Sequence, residues 1–209
     1  MSVIILLIHL LSIAIVLPPC DRCPAACAVE SNVPREVHVR VFNQSRLDEA
    51  GIAVIVTVAN RLWAPYGVTI EAATTPGSLV VIIASGSAAM ASGASGSGVL
   101  GTTMFSDGHA TPNIHLWLGA AEALARRLEY PNWPAEIAPP STREAPLLHV
   151  MGVALAHEIG HYLLDTTQHS TEGLLRARIS LPEMEHADPG RLTLTCAQRR
   201  TISGAVAGR

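Results

Sequence analysis

Apolar and polar residues alternate over several short stretches of the chain. In Glu36–Phe42, Val37, Val39 and Val41 are separated by polar residues, which is the period-two pattern of a strand with one buried face. Apolar segments predict four further strands: Val68–Ala72, Leu79–Ala84, Val99–Phe105 and Asn113–Leu118. The pattern therefore predicts a sheet of about five strands.

Longer apolar stretches between caps and breakers predict helices. We expect a first helix to begin with Ser45 as its N-cap and to stop at Ala64-Pro65-Tyr66-Gly67. Alanine and leucine at helical spacing predict a second helix within Gly119–Tyr130.

A third helix is expected to begin at the capping-box sequence Ser141-Thr142-Arg143-Glu144 and to continue to Leu164. Four of its residues are spaced to face a sheet: Leu148, Leu155, Ile159 and Leu163. The order of strand, helix, several strands and helix implies an α/β (α+β) domain with one layer of helices on a mixed sheet.

The first 28 residues differ in composition from the rest. Val3–Leu17 is almost unbroken apolar sequence, shorter than a comfortable membrane span and close to the length of a signal-peptide core. Ala26-Cys27-Ala28 then offers the small residues that precede a signal-peptidase cut. We expect residues 1–28 to be a signal peptide and residues 29–209 to form the mature, secreted or extracytoplasmic domain. An uncleaved N-terminal membrane anchor is the alternative.

The composition of the chain excludes two classes of protein, disordered chains and nucleic-acid-binding proteins. The chain has 209 residues, which suits one domain, and 49% hydrophobic with 15% charged residues argues against a disordered chain. The net charge is −3, and the 14 basic residues are all arginines scattered along the chain. The sequence therefore predicts no nucleic-acid partner.

The cysteines bear on the mature form of the chain. Cys20, Cys23 and Cys27 precede the predicted cut, and Cys196 lies far from them. Cys20-x-x-Cys23 lacks the βαβ setting of a redox motif. A mature chain that starts at Val29 would hold one cysteine and no disulfide.

The sequence His157-Glu158-Ile159-Gly160-His161 lies on the predicted third helix. Residues four apart lie on one face of a helix, so both imidazoles can bind a single metal ion. Glu158 is rotated off that face, where it can take a proton from a metal-activated water and pass it to a leaving amine. The motif therefore predicts a zinc site with Glu158 as the catalytic residue.

A catalytic zinc ion normally takes three protein ligands and keeps one position open. Asp165 and His149 each lie eight residues from His157, about 12 Å along a helix axis, which is too far to share the metal. His169, just past the end of the helix, is the favoured third ligand. Four later residues stay open as alternatives: Glu172, Glu183, Glu185 and His186.

At these residues the chain resembles a zincin metallopeptidase, and more particularly a metzincin. The HExxH sequence at 157–161, followed by His169-Ser170 and Gly173-Leu174-Leu175, is similar to the metzincin order of active-site helix, third histidine, serine and Gly-Leu/Ile-Met stretch. The resemblance covers Leu155–Arg176.

The chain departs from the metzincin pattern at three positions. The third histidine of the family would fall at Thr167, and its helix-ending glycine corresponds to Leu164. The methionine of the family's turn below the zinc would fall at Leu175, unless Met184 supplies it. These departures concern the subfamily and leave the HExxH core intact.

The resemblance implies a zincin-like fold, with a mixed sheet of about five strands, a backing helix and an active-site helix. It also implies a metallopeptidase that hydrolyses a peptide or protein substrate, with Glu158 as general base and then general acid; the N-terminal segment predicts that this enzyme is secreted. Zn²⁺ would be held by His157, His161 and His169. A catalytically silent secreted zinc-binding protein, which would not need Glu158, and an interaction or anchor protein are the alternatives from other classes.

Overall fold

The computed structural model describes residues 35–75, 78–86, 98–127 and 140–204, with the backbone alone for 140–143. The predicted signal segment, residues 1–28, lies outside the described residues. Five strands are present: β1 Arg35–Gln44, β2 Val68–Ala72, β3 Leu79–Ala84, β4 Gly101–Ser106 and β5 His109–Trp117. The helices are α1 Glu49–Trp63, α2 Leu118–Ala125, α3 Pro140–Leu164, α4 Leu181–His186 and α5 Cys196–Gly204.

The strands form one mixed sheet in the order β2-β1-β3-β5-β4. β1 is parallel to β2 and β3, and β3 is parallel to β5. β4 pairs with β5 in the antiparallel direction and forms one edge of the sheet. The chain is therefore a mixed α/β protein with a five-stranded mixed sheet, as the sequence predicts.

Helices α1 and α3 pack against each other and against the strands. Alternate residues in the middle of the strands are buried beneath them, including Val37, Val39, Val81 and Ile114, while the residues between are more exposed. Leu148, Leu155, Ile159 and Leu163 of α3 are all buried, as predicted. Each such side chain contributes about 1.5–3 kcal/mol through burial, so α3 is held firmly on the sheet.

Two predicted strands, Val68–Ala72 and Leu79–Ala84, are confirmed to the residue. The predicted start of the last strand at Asn113 is wrong, because β5 begins at His109. Pro112 lies where the β4–β5 register shifts, before β5 begins to pair with β3, so no ladder hydrogen bond is lost there. Asp107 and Gly108 form a two-residue turn with φ of 52° and 83°, the positive values that a type I′ hairpin needs.

The predicted N-cap of the first helix is also wrong. Asp48 caps α1, and its Oδ1 accepts a hydrogen bond of 2.8 Å from the Gly51 N–H. Ser45 instead donates its hydroxyl to Asn43 Oδ1 at 2.6 Å. Because β1 runs on to Gln44, Ser45 belongs to the turn after the strand and not to the helix.

Helix α3 begins one residue before the predicted start and ends at Leu164, the predicted end. Glu144–Leu164 is long and apolar enough to cross a membrane by length and composition, but 72% of its 18-residue apolar window is buried inside the protein. Its apolar character is therefore that of a core helix.

Cys196, at the start of α5, is disulfide-bonded in the full chain. The other three cysteines all precede Val29 and lie outside the described residues. The expected terminus at Val29 stays a prediction: N-terminal sequencing of the exported protein should find Val29, whereas an intact Met1 terminus in the membrane fraction would establish the anchor alternative.

Candidate metal centre

Helix α3 places His157 and His161 on the same face, one turn apart. Their ring centroids are 4.8 Å apart, and the two Nε2 atoms approach to 3.0 Å. The other nitrogen of each ring faces a backbone carbonyl: His157 Nδ1 lies 2.8 Å from Leu174 O, and His161 Nδ1 lies 2.7 Å from Thr166 O. Each imidazole is therefore held in position at its Nδ1 atom.

These carbonyl contacts determine the tautomers. A carbonyl oxygen only accepts, so each Nδ1 must carry the proton and donate it. In the neutral ring, Nε2 then carries a lone pair and no hydrogen. Burial lowers the pKa of His157 to about 4 and also lowers the pKa of His161, which keeps both rings neutral at pH 7.

The lone pairs of the two Nε2 atoms therefore point toward each other. Such a pair repels unless a cation lies between them. Two nitrogens bound to one tetrahedral zinc ion at their usual distance lie roughly 3.3 Å apart, close to the observed 3.0 Å. The donor set and its spacing fit a metal ion, and the carbonyls of Leu174 and Thr166 supply the outer hydrogen bonds that metal-binding histidines normally make.

The end of α3 turns the chain back toward these histidines. Asp165 adopts a left-handed conformation with φ of 49°, the N–H of Thr166 bonds to His161 O at 3.2 Å, and the N–H of Asp165 bonds to Tyr162 O at 3.4 Å. This pair of bonds is a Schellman motif. It satisfies the carbonyls of His161 and Tyr162 in the last turn of the helix. It also places the Thr166 carbonyl oxygen next to His161 Nδ1.

Residues 170–176 form a tight loop that supports the site from below. Ser170 N–H bonds to Leu175 O, and Leu174 N–H bonds to Thr193 O, both at 2.8 Å. Leu175 is fully buried against α3, where a side chain at Gly160 would come within 2.4 Å of it. This packing fixes the loop where the Leu174 carbonyl can accept a hydrogen bond from His157 Nδ1.

His169 completes the cluster. Its ring centroid lies 5.3 Å from that of His157 and 4.9 Å from that of His161. The ligand nitrogens of the three histidines all lie within 4.8 Å of one another, close enough to hold a metal ion. Among the described residues, no other set of His, Cys, Asp and Glu side chains forms such a group.

The other residues considered as third ligands lie outside the histidine cluster or bind other groups. Asp165 accepts hydrogen bonds from Ala110 N–H and faces His109 Nδ1, at 2.6 and 2.7 Å, which ties the end of α3 to β5. His149 contacts the Glu185 carbonyl, and His186 lies 2.7 Å from the carbonyl of Pro182. Glu172 is exposed and outside the cluster.

Glu183 is held by other groups. Its carboxylate pairs with Arg176 and caps α4 through Ser180. The Arg176 hydrogen bond, with help from Ser180, lowers the pKa of Glu183 to about 2. Its charge is therefore already neutralised away from the histidines.

Glu158 lies beside the histidines and is 7% exposed. Its Oε2 accepts a hydrogen bond of 2.9 Å from the Thr103 hydroxyl, which also lies 2.8 Å from the Glu158 carbonyl oxygen. Burial raises the pKa of Glu158 to about 7, although the hydrogen bonds from Thr103 act in the opposite direction. A carboxyl group with a pKa near neutrality can both accept and return a proton.

The three histidines and Glu158 line a cleft of about 380 Å³. β4 and the residues before it form one wall, which includes Thr103 and Phe105. Arg176, Ile179 and Met184 line it on the side of the loop and α4. Sequence reasoning missed Thr103 and Arg176, because nothing in their local pattern shows that β4 and α4 meet at α3.

No family model matches the chain, and no curated protein or solved structure is significantly similar to it. The candidate site therefore stands on the geometry of its own residues.

Gly173 gives a test of how the loop under the histidines is held. Its φ is 75°, and a Cβ there would lie 1.9 Å from the Thr193 carbonyl oxygen; Gly108 has φ of 83° and open space around it. Gly108→Ala should cost about 1–2 kcal/mol through its left-handed backbone alone, lowering the unfolding midpoint by roughly 2–8 °C. Gly173→Ala should lower it clearly further, because the Thr193 backbone must also move. Equal midpoints for the two variants in thermal unfolding would contradict this packing.

Proposed function

We propose that the chain is a zinc-dependent metallopeptidase. The observation that carries the proposal is the 3.0 Å approach of two unprotonated Nε2 atoms, with His169 beside them and Glu158 in the same cleft. Three histidines and a nearby carboxylate are the residue set of a hydrolytic zinc site. A silent zinc site would need only the histidines.

A zinc ion bound to His157, His161 and His169 would supply the Lewis acid that polarises a peptide carbonyl and acidifies water. Glu158 supplies the proton transfer. It is buried except toward the cleft, and because its Oε2 accepts the Thr103 hydroxyl, Oε1 is the oxygen without a side-chain hydrogen bond among the described residues. Oε1 is therefore the atom that takes a proton from the attacking water and returns it to the leaving amine.

The edge strand β4 supplies a place for the substrate backbone. β4 pairs with β5 on one side, and within the described residues no strand covers its other side. Gly101, Thr102 and Thr103 line the cleft beside Glu158. An extended peptide can add to such an edge through main-chain hydrogen bonds, which would bring its scissile bond next to the histidines.

The zincin-like architecture is part of this proposal. It is supported by a five-stranded sheet with an edge strand beside an HExxH helix, and by a loop that packs under that helix. Leu175 occupies the position against Gly160 where the metzincin pattern would have a methionine, and Met184 lines the cleft instead. Secretion, with residues 1–28 as a signal peptide, belongs to the same proposal.

Metal content and hydrolysis of a mixed peptide library by the purified protein test the proposal together. We expect about one zinc ion per chain, cleavage of some library peptides, loss of cleavage on treatment with a chelator, and recovery when zinc is restored. Zinc without cleavage would favour a silent zinc-binding protein. The absence of bound zinc, with no zinc taken up on titration, would contradict both readings.

A further inference from the structure

Thr103 contacts Glu158 at two atoms. Its hydroxyl lies 2.9 Å from the carboxylate Oε2 and 2.8 Å from the main-chain oxygen of the same residue. Both side chains are buried, with 7% exposure each. A single hydroxyl therefore holds the Glu158 side chain against its own backbone and restricts its rotamers.

The same strand confines Glu158 at a second point. A Cβ at Gly101 would come within 2.8 Å of Glu158 Cγ and 2.9 Å of Leu116 Cδ2. The backbone of β4 thus lies directly on the stem of the Glu158 side chain, two residues from the hydroxyl that holds its tip. The Thr103 backbone also hydrogen-bonds to the carboxylate, and in the described part of the chain Oε1 accepts no side-chain hydrogen bond.

We infer that Thr103 is a positioning residue for Glu158: it occupies Oε2 and thereby presents Oε1 to the cleft beside the three histidines. The role of Glu158 in hydrolysis rests on the proposed function, but the orientation of its carboxylate does not. Placement of a catalytic group to within a fraction of an ångström has a large effect on rate. The hydroxyl of Thr103, which comes from the edge strand, is thus part of the machinery although it touches no reacting atom.

Thr103→Val removes the hydroxyl and keeps the shape and strand preference of the side chain. We expect kcat to fall about 10- to 100-fold, as for other outer hydrogen-bonding partners, with little change in KM and in zinc content. Thr103→Ser keeps the hydroxyl and should restore most of the rate. Thr111→Val is the matched control, since its hydroxyl bonds to the Met104 carbonyl in the same hairpin, away from Glu158.

A coupling test separates positioning from a general structural effect. In a Glu158→Gln background, Thr103→Val should lower kcat no further, because both changes act through one carboxylate. An equal loss of rate in both backgrounds would show that Thr103 supports the fold and not Glu158. An unchanged kcat in Thr103→Val alone would overturn the inference.

The inference is also tested without activity. In metal-free protein with isotope-labelled glutamate, the carboxyl-carbon resonance of Glu158 is identified by its absence in Glu158→Gln. Thr103→Val should shift or broaden this resonance, whereas Thr103→Ser and Thr111→Val should leave it nearly unchanged. If the wild-type protein cleaves no peptide, the proposed function fails, while this comparison still decides the role of Thr103.

Gly101→Ala provides a second variant in case Thr103→Val does not fold. The added methyl group must displace the Glu158 stem or Leu116. We expect the same resonance to move while the Thr103 hydroxyl is intact. A resonance that moves in neither variant would mean that β4 does not set the orientation of Glu158.

Discussion

Replacement of Glu158 by glutamine should leave about one zinc ion bound per chain and lower peptide hydrolysis by at least about a hundredfold, because a positioned general acid and base contributes factors of 10²–10⁴. Glutamine has nearly the same shape and can still meet the Thr103 hydroxyl, which lies 2.9 Å from Oε2. The substitution therefore removes proton transfer while the packing around the site is kept. Initial rates on a cleaved library peptide, with zinc measured on the same sample, check this result.

The control for this substitution is Glu172→Gln, which changes an exposed carboxylate near the loop but outside the cluster. It should hydrolyse peptides at the wild-type rate. Unchanged turnover in Glu158→Gln would remove Glu158 from the mechanism. Loss of zinc with a retained fold would mean that Glu158 is a ligand, and the roles within the HExxH motif would have to be reassigned.

Replacement of His169 by alanine should weaken zinc binding by more than about a hundredfold, because the loss of an outer partner alone costs 10–100-fold and His169 is expected to contact the metal directly. His169 is exposed, so its removal should leave the free energy of unfolding of the metal-free protein nearly unchanged. Competition with a chromophoric chelator measures the zinc affinity, and denaturant unfolding measures the stability.

Glu172→Ala and Glu185→Ala are the matched controls for His169→Ala and should bind zinc as tightly as the wild type. Glu183 is a poorer control, because its carboxylate pairs with Arg176 and caps α4. If zinc affinity survived in His169→Ala and fell in one of the glutamate variants, the site would be like that of a gluzincin. The comparison with metzincins would then fail where it is most specific.

The local pattern predicted the elements that are bounded by strong signals. β2 and β3 match to the residue because short apolar segments end there at turns and breakers. The start of α1 was missed because Ser45 and Asp48 are both good caps, and the choice depends on how far β1 extends before the chain turns. The start of β5 was missed although Asp107-Gly108 is a recognisable hairpin signal just before it.

The choice of His169 as third ligand could not be made from helix geometry alone. Helix geometry excluded Asp165 and His149 as partners of His157, since the rise per residue is fixed. It did not choose among His169, Glu172, Glu183, Glu185 and His186, because that choice depends on the path of the chain after α3. The Schellman turn at Asp165 and the bond from Ser170 N–H to Leu175 O decide that path.

By itself, the sequence determined that His157 and His161 share a helix face with Glu158 beside them, because a period of 3.6 residues is a property of any α-helix. It also determined that five short strands and a buried helix form a mixed α/β fold, through the spacing of apolar residues. Only the tertiary structure decided that the carbonyls of Leu174 and Thr166 turn both Nε2 lone pairs toward one point, and that Thr103 holds Glu158 from 55 residues away along the chain. Such contacts join segments that are distant in sequence, and their geometry follows from how the sheet, α3 and the loop beneath it pack, which no local pattern contains.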